Sequence, residues 1–184
     1  IFNRMENLPL IKNKKLLTWW LTGLSGAGKT TLAQALAEDL RDQGYPVCIL
    51  DGDDIRQGLS KDLGFSMAER EEQSRRVAEM AKILNQNGIL AIVSLVSPSV
   101  HGRSLARDII GQDHFVESYI STPLHICQQR DVKGLYAKAK LNSGLQLTGI
   151  GAPYEAPTNA DCVIDTSQIE LTTATQQLRA FLKE

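Results

Sequence analysis

Along the chain, short and nearly all-apolar runs alternate with longer stretches in which apolar residues return every three or four positions. The runs Leu16–Thr22, Val47–Leu50, Ile89–Ser94, Phe115–Ile120 and Cys162–Ile164 predict short buried strands. The stretches between them predict helices over Lys29–Gln43, Met67–Asn87, Gly102–Ile110 and Pro123–Arg130, with a final one over Gln168–Lys183. Within Met67–Asn87, for example, Val77, Met80, Ala81 and Leu84 share one helical face and charged residues fill the other. Gly44-Tyr45-Pro46 and Asn87-Gly88 fall where helices should stop and strands begin. This rhythm predicts an α/β fold, a parallel sheet with helices on both faces. Lys140–Pro157, rich in Gly and Pro, is the longest expected loop, and in such folds ligands bind at the carboxyl ends of the strands. Trp19 and Trp20 lie inside the first strand and are expected to pack in the core.

Composition narrows the picture. A length of 184 residues suits one domain with a full core. We expect residues 1–15 to be an N-terminal extension, with Met5 offering a start codon, and 16–184 to be a single domain. A net charge of −1 gives no general pull toward nucleic acid or anionic membrane, and neither partner is expected. Cys48, Cys127 and Cys162 fit no CxxC or zinc spacing, and their apolar neighbours predict buried, reduced thiols. No apolar run is long enough to span a bilayer, and no charged-then-apolar leader precedes residue 16. The expected setting is the cytoplasm.

Candidate chemistry begins at Gly23-Leu24-Ser25-Gly26-Ala27-Gly28-Lys29-Thr30, between the first strand and the first helix. Glycines let consecutive N–H groups turn inward onto phosphate oxygens, Lys29 reaches the outer phosphates, and the Thr30 hydroxyl can join a Mg²⁺ shell. The pattern predicts a nucleoside triphosphate site. Asp51 and Asp53 follow the second strand, placed to hold Mg²⁺ or orient an attacking hydroxyl, while Asp54 is expected to cap the helix at Ile55–Leu59. A basic cluster follows: Arg56, Lys61, Arg70, Arg75 and Arg76. Arg56 and Arg70 flank a Leu63-Gly64-Phe65 turn, where guanidinium forks suit phosphate or sulfate and Phe65 offers a face for a base. The same cluster also fits a salt-bridged solvent face. Arg130-Asp131-Val132-Lys133-Gly134-Leu135-Tyr136 fits a basic lid over the triphosphate or a basic helix surface. His101, His114 and His125 form no catalytic constellation.

In this order the pieces resemble the adenylylsulfate kinase (APS kinase) family over nearly the whole chain, from Trp20 to about Thr166. The landmarks are the phosphate loop through Thr31, Leu50-Asp51-Gly52-Asp53 with Arg56, Asp62-Leu63-Gly64-Phe65-Ser66, and Arg75-Arg76-Val77-Ala78. Val96-Ser97-Pro98, Arg130-Asp131 with Lys133-Gly134-Leu135-Tyr136, Thr148-Gly149-Ile150 and Ala152-Pro153-Tyr154-Glu155-Ala156-Pro157 complete them. The resemblance implies a three-layer P-loop NTPase-type kinase. It would pass the γ-phosphoryl of ATP, with Mg²⁺, to the ribose 3′-hydroxyl of adenosine 5′-phosphosulfate. By that resemblance Gly23, Ser25, Gly26, Ala27, Gly28, Lys29, Thr30, Thr31 and Arg130 bind ATP, and Thr30 and Asp51 hold the metal. Lys29, Asp51, Asp53 and Lys133 serve catalysis. Asp53, Arg56, Phe65, Arg70, Gln73, Ser97, Lys133 and Leu147 contact the acceptor, with Ser97 more a turn residue than a phosphoryl acceptor. Relatives are commonly homodimers.

The departures from the family pattern gather in the acceptor half. Gln73 stands where Asn is usual, Ser99-Val100 where an aromatic and Arg are favoured, Leu145-Gln146-Leu147 for Lys-Gly-Phe, and Gly151 for Asp. Two other readings follow. An aliphatic wall at Leu145 and Leu147 suits a smaller base, such as that of cytidine diphosphoramidate. Alternatively the chain is a non-catalytic nucleotide-binding module paired with an ATP sulfurylase, against which Lys29, Asp51 and Lys133 argue.

Overall fold

The computed structural model describes residues 15–132, 134–141 and 147–182. In chain order the elements are β1 (Thr18–Thr22), α1 (Lys29–Asp42), β2 (Val47–Asp51), α2 (Gly52–Gln57), α3 (Met67–Gln86), β3 (Leu90–Ser94), α4 (Val100–Ile110), β4 (Phe115–Ile120), α5 (Leu124–Arg130) and α6 (Leu135–Leu141). The two-residue strands β5 (Leu147–Thr148) and β6 (Gly151–Ala152), then β7 (Cys162–Ile164) and α7 (Leu171–Arg179), complete the chain. The main sheet has 5 strands in the order β2-β3-β1-β4-β7, all parallel, with β1 at its centre.

Strand alternation divides the core. Trp19 and Leu21 of β1 pack with Leu32, Leu36 and Leu40 of α1 and Leu178 of α7. Trp20 points the other way, among Val77 and Ala81 of α3 and Ala106 and Ile110 of α4. Burying an indole contributes about 4–6 kcal/mol of transfer free energy, provided its N–H finds an acceptor. Both do: Trp19 Nε1 donates to Leu178 O at 2.9 Å and Trp20 Nε1 to Ser97 Oγ at 3.1 Å. The sheet is thus covered on both faces, and every parallel strand delivers its carboxyl end to one edge.

Local chemistry sets the helix starts. Ser66 and Glu69 form a reciprocal capping box at the start of α3. Ser99 Oγ accepts from Gly102 N at 3.0 Å, so α4 begins at Val100 rather than at Gly102. The cap of α2 is Asp51, whose carboxylate accepts from Asp53 N at 3.0 Å; Asp54, expected to cap, lies inside the first turn. The stretch expected as a long loop contains the end of α6 and the β5–β6 pair, and α7 is shorter than its pattern suggested.

Candidate active site

The phosphate loop leaves β1 and is held from behind by side chains. Gly26 adopts φ +75°, and a Cβ there would sit 2.9 Å from Cys127 O, so only glycine fits. Thr166 Oγ1 and Thr122 Oγ1 donate to Ala27 O at 2.8 and 3.1 Å. Arg130 Nη1 reaches Gly26 O at 3.3 Å and Thr166 Oγ1 at 2.8 Å. Tyr136 donates its hydroxyl to Ser25 O at 2.9 Å, and burial pushes that hydroxyl's pKa up to about 12. Lys29 opens α1 and folds back over the loop, its Nζ donating to Gly23 O at 2.9 Å and Leu24 O at 2.7 Å. The loop, the Lys29 ammonium and the positive end of α1 therefore meet on one side of the cavity, an arrangement that suits phosphate.

Beside it, the Thr30 hydroxyl donates to Asp51 Oδ2 at 2.8 Å and lies 3.4 Å from Ser94 Oγ. These oxygens fit a small, hard dication. Among the described residues no group of three or more His, Cys, Asp or Glu side chains could hold a metal, so phosphate and water must complete any coordination here. Mg²⁺ favours that arrangement.

From Asp51, α2 leads one turn on to Arg56. Its Nη1 donates to Gly64 O at 2.9 Å, and its guanidinium lies 4.3 Å from the Phe65 ring centre. Arg70, near the start of α3, lies 5.4 Å from the same ring and donates from Nε to Phe65 O at 2.9 Å. The ring between them is 60% exposed. Burial pushes both guanidinium pKa values down, and for Arg70 the neighbouring Arg56 charge adds to the effect. Arg56 Nη2 is buried with no hydrogen-bond partner among the described residues. Two crowded, partly desolvated cations with a donor unspent are a site that an anion would relieve.

One cavity of about 860 Å³ joins these parts. Ser25, Gly26, Gly28, Lys29, Thr30 and Thr31 line its donor side, with Arg130. Asp51 and Asp53 stand beside Arg56, Phe65, Arg70 and Gln73, and Val96, Ser97, Pro98, Leu147 and Thr148 form further wall. Gly23 and the buried Ala27 shape the loop without lining the cavity. Lys133, Leu145 and Gln146 lie outside the described residues. Gln73 is buried and makes a long 3.4 Å contact to Gly52 O. Ser97 is buried, with its hydroxyl taken by Trp20. The basic cluster splits: Arg75 and Arg76 turn away to Glu72, and Arg76 also pairs with Asp62 at 2.7 Å.

Sequence reasoning missed Thr166, the hydroxyl that ties the phosphate loop to Arg130 and Thr122. Its only signal is position, directly after the last strand's carboxyl end. It also lines a smaller cleft of about 220 Å³ that shares Gly28, Thr31 and Arg130 with the main cavity and is walled by Ile169, Leu171 and Ala174.

A central parallel strand feeding a glycine loop, a lysine at the head of the next helix, and a carboxylate at the end of the edge strand β2 define a P-loop kinase. The family model for adenylylsulphate kinase matches residues 15–165, and the chain belongs to that family. It is 46% identical over 171 residues to an adenylyl-sulfate kinase of Shewanella denitrificans, covering 93% of this chain and 83% of that one. The structure of the Mycobacterium tuberculosis APS kinase CysC in complex with AMPPNP and APS superposes with a TM-score of 0.88 at 38% identity, over 93% of this chain and 99% of that one. A hexameric APS kinase from Thiobacillus denitrificans matches with a TM-score of 0.69 at 32% identity, over 92% of this chain and 29% of that one.

Proposed function

We propose that this chain transfers the γ-phosphoryl group of ATP to the ribose 3′-hydroxyl of adenosine 5′-phosphosulfate, giving ADP and 3′-phosphoadenosine 5′-phosphosulfate. The observation that carries the reading is the pair of partly desolvated guanidiniums, Arg56 and Arg70, around an exposed Phe65 in the same cavity as the phosphate loop. An acceptor for that pocket needs a flat base and an anionic 5′-substituent, and adenylylsulfate has both. Family membership favours it over a cytidine acceptor or a non-catalytic module.

The ATP phosphates lie along the backbone N–H groups of residues 24–30, and the base enters the cleft between Arg130 and Ile169. Bound Mg²⁺ supplies charge neutralisation on the outer phosphates, with Thr30 and Asp51 as its protein oxygens. Lys29 leaves the Gly23 and Leu24 carbonyls to take the γ-phosphoryl oxygens, and follows the charge as it shifts toward ADP. Asp51, engaged with Thr30 and the α2 terminus, serves the metal, and Asp53, which lines the cavity beside Arg56 and Arg70, orients the 3′-hydroxyl and accepts its proton. The new O3′–P bond forms as the bond between the γ-phosphorus and the bridging oxygen breaks. Gln73, Ser97 and Leu147 frame the acceptor, Arg130 holds the phosphate loop through Gly26 O, and the family resemblance assigns Lys133 to catalysis.

We take residues 16–184 as one catalytic domain that self-associates as a homodimer, as the family resemblance implies; the hexameric relative is consistent with self-association, and light scattering on the purified chain tests the stoichiometry. No helix among the described residues is long and apolar enough to cross a membrane. The free thiols Cys48, Cys127 and Cys162 suit the reducing cytoplasm. The deciding assay measures ADP release with ATP, Mg²⁺ and either adenylylsulfate or a cytidine 5′-diphospho compound. Turnover with adenylylsulfate is expected; equal or faster turnover with the cytidine compound, or none with either, overturns the reading.

A further inference from the structure

We propose that Arg103 is a positioning residue for the acceptor: it fastens the Ser97 wall of the cavity to the segment that follows β6, and so fixes the width of the acceptor pocket. The inference rests on the assignment of that side of the cavity to adenylylsulfate. Arg103 does not line the cavity and is only 3% exposed. All three guanidinium nitrogens are used. Nε donates to Glu117 Oε1 at 2.8 Å, Nη1 to Ser97 O at 2.8 Å, and Nη2 to Glu155 O at 2.7 Å. A planar fork spans two carbonyls and a carboxylate at once, which a point-charge ammonium cannot do.

What Arg103 joins is otherwise unconnected in sequence. Ser97 holds φ +36°, a left-handed conformation that a serine keeps only where its surroundings fix it. Those surroundings are Arg103 on its carbonyl and Trp20 on its hydroxyl. On the other side, Glu155 N donates to Pro98 O at 2.8 Å, and Glu155 Oε2 accepts from Val100 N at 2.7 Å. Residues 97–100 and 155 are thus latched in both directions. The preceding residue extends the latch to the donor side. Thr22 Oγ1 donates to Val96 O at 2.8 Å, so the Tyr154 hydroxyl, 3.0 Å away, must be the donor to Thr22. Thr22 is the last residue of β1 before the phosphate loop.

The anchor is stiff and the load is functional. Glu117 belongs to β4 and is braced by Arg107 at 3.5 Å, while Asp161 accepts from Glu117 N at 2.7 Å. Two stretches of cavity wall depend on the clamp. Val96–Pro98 is one; Leu147 and Thr148 are the other, joined to the clamped segment where Gly149 N donates to Ala152 O at 2.8 Å. The start of α4 also abuts α3: a Cβ on Gly102 would fall 3.3 Å from Glu71 Cγ, beside Arg70 and Gln73. Loosening Arg103 therefore lets the acceptor walls move, while the phosphate loop keeps its own supports at Thr122, Arg130 and Thr166.

The test is steady-state kinetics of ADP release, with ATP and adenylylsulfate varied separately, on wild type, Arg103→Lys, Tyr154→Phe and Arg107→Lys. Arg103→Lys should raise KM for adenylylsulfate about tenfold or more, since sub-ångström wall shifts are costly to positioning, with kcat falling less. KM for ATP should stay within about twofold. Tyr154→Phe, which removes one hydroxyl and keeps the ring, should raise the same KM about three- to tenfold and decides the matter if Arg103→Lys does not fold. Arg107→Lys disturbs the same ion network without touching either carbonyl, and should leave both KM values at wild type. Equal rises in both KM values, a fall in kcat alone, an unchanged Tyr154→Phe, or an Arg107→Lys that matches Arg103→Lys each overturns the clamp. A wild type with no turnover on adenylylsulfate overturns the acceptor assignment itself, and is distinguished because it needs no variant.

Discussion

On the donor side the cavity is walled by one contiguous backbone loop, residues 23–30, which the side chains of Thr122, Arg130, Tyr136 and Thr166 brace from behind. On the acceptor side the groups are side chains brought from α2, the turn before α3, α3 itself, the loop after β3, and β5. A backbone site tolerates little, because a single Cβ at Gly26 meets Cys127 O. A side-chain site can be altered one residue at a time without unfolding the sheet, and of the departures Gln73 and Leu147 line that side, while Val100 and Gly151 lie outside the cavity wall. The difference teaches where specificity can drift in this architecture: across from the phosphate loop, not in it.

The sharpest way to break the contrast is Lys29→Ala. It should lower kcat about 100- to 1000-fold with any acceptor, the scale for losing one preorganised charge on the transferring group. ADP release measures it, and activity within tenfold of wild type would refute the donor assignment. Phe65→Ala acts on the other half. Losing a stacking face costs about 1–3 kcal/mol, so affinity for adenylylsulfate should fall roughly 5- to 150-fold while ATP affinity holds. Calorimetry with each nucleotide separates the two, and a parallel loss of ATP binding would mean the halves are not independent. Leu147→Phe should move the acceptor half the opposite way, tightening adenylylsulfate by no more than the same stacking contribution. Unchanged or weaker binding would show that Leu147 does not face the base.

The smallest effect belongs to neither half. Hydrogen bonds from Arg75 and then Arg76 hold the Glu72 carboxyl at about 2, against an ordinary 4.5. A depressed carboxylate stabilises the fold fully above its unfolded pKa, and that contribution is lost as pH falls through the folded value. Glu72→Gln should therefore lower the unfolding free energy at neutral pH by less than about 1 kcal/mol because the pair is exposed, read as a slight fall in the thermal midpoint. The gap to wild type should close between pH 4.5 and about 2, without any change in either nucleotide's affinity at pH 7. A gap that persists at the acid end would contradict the assigned pairing.

The sheet was legible because its inner strands β1 and β3 are buried on both faces and read as largely apolar runs; each of the five begins within two residues of its pattern. The donor loop was legible because its geometry is written in adjacent residues. Elements that lean on distant partners were not. The first turn of α6 is satisfied by the Asp131 carboxylate, which accepts from Tyr136 N and Ala137 N at 3.0 and 2.9 Å. Asp51 caps α2 while also holding Thr30, a double duty that spacing cannot reveal. The sequence left the basic cluster open between an anion site and a salt-bridged face; for Arg75 and Arg76, Asp62 and Glu72 decide for the face. Thr166 and Arg103 do their work through carbonyl oxygens, which carry no residue identity.

The adjacent tryptophans of β1 have an optical consequence. They are the only 2 indoles in the chain, and strand alternation sends one to each face. Trp19 is bonded to the carbonyl of Leu178 in the last helix, Trp20 to the hydroxyl of Ser97 in the cavity wall. Intrinsic emission is then the sum of two probes in separate compartments: melting of the helical layer disturbs the first, and rearrangement beside the acceptor disturbs the second. A titration with adenylylsulfate can therefore be followed in the unlabelled protein, and a Trp19→Phe variant would leave a single reporter tethered to the residue whose backbone is held in the left-handed conformation.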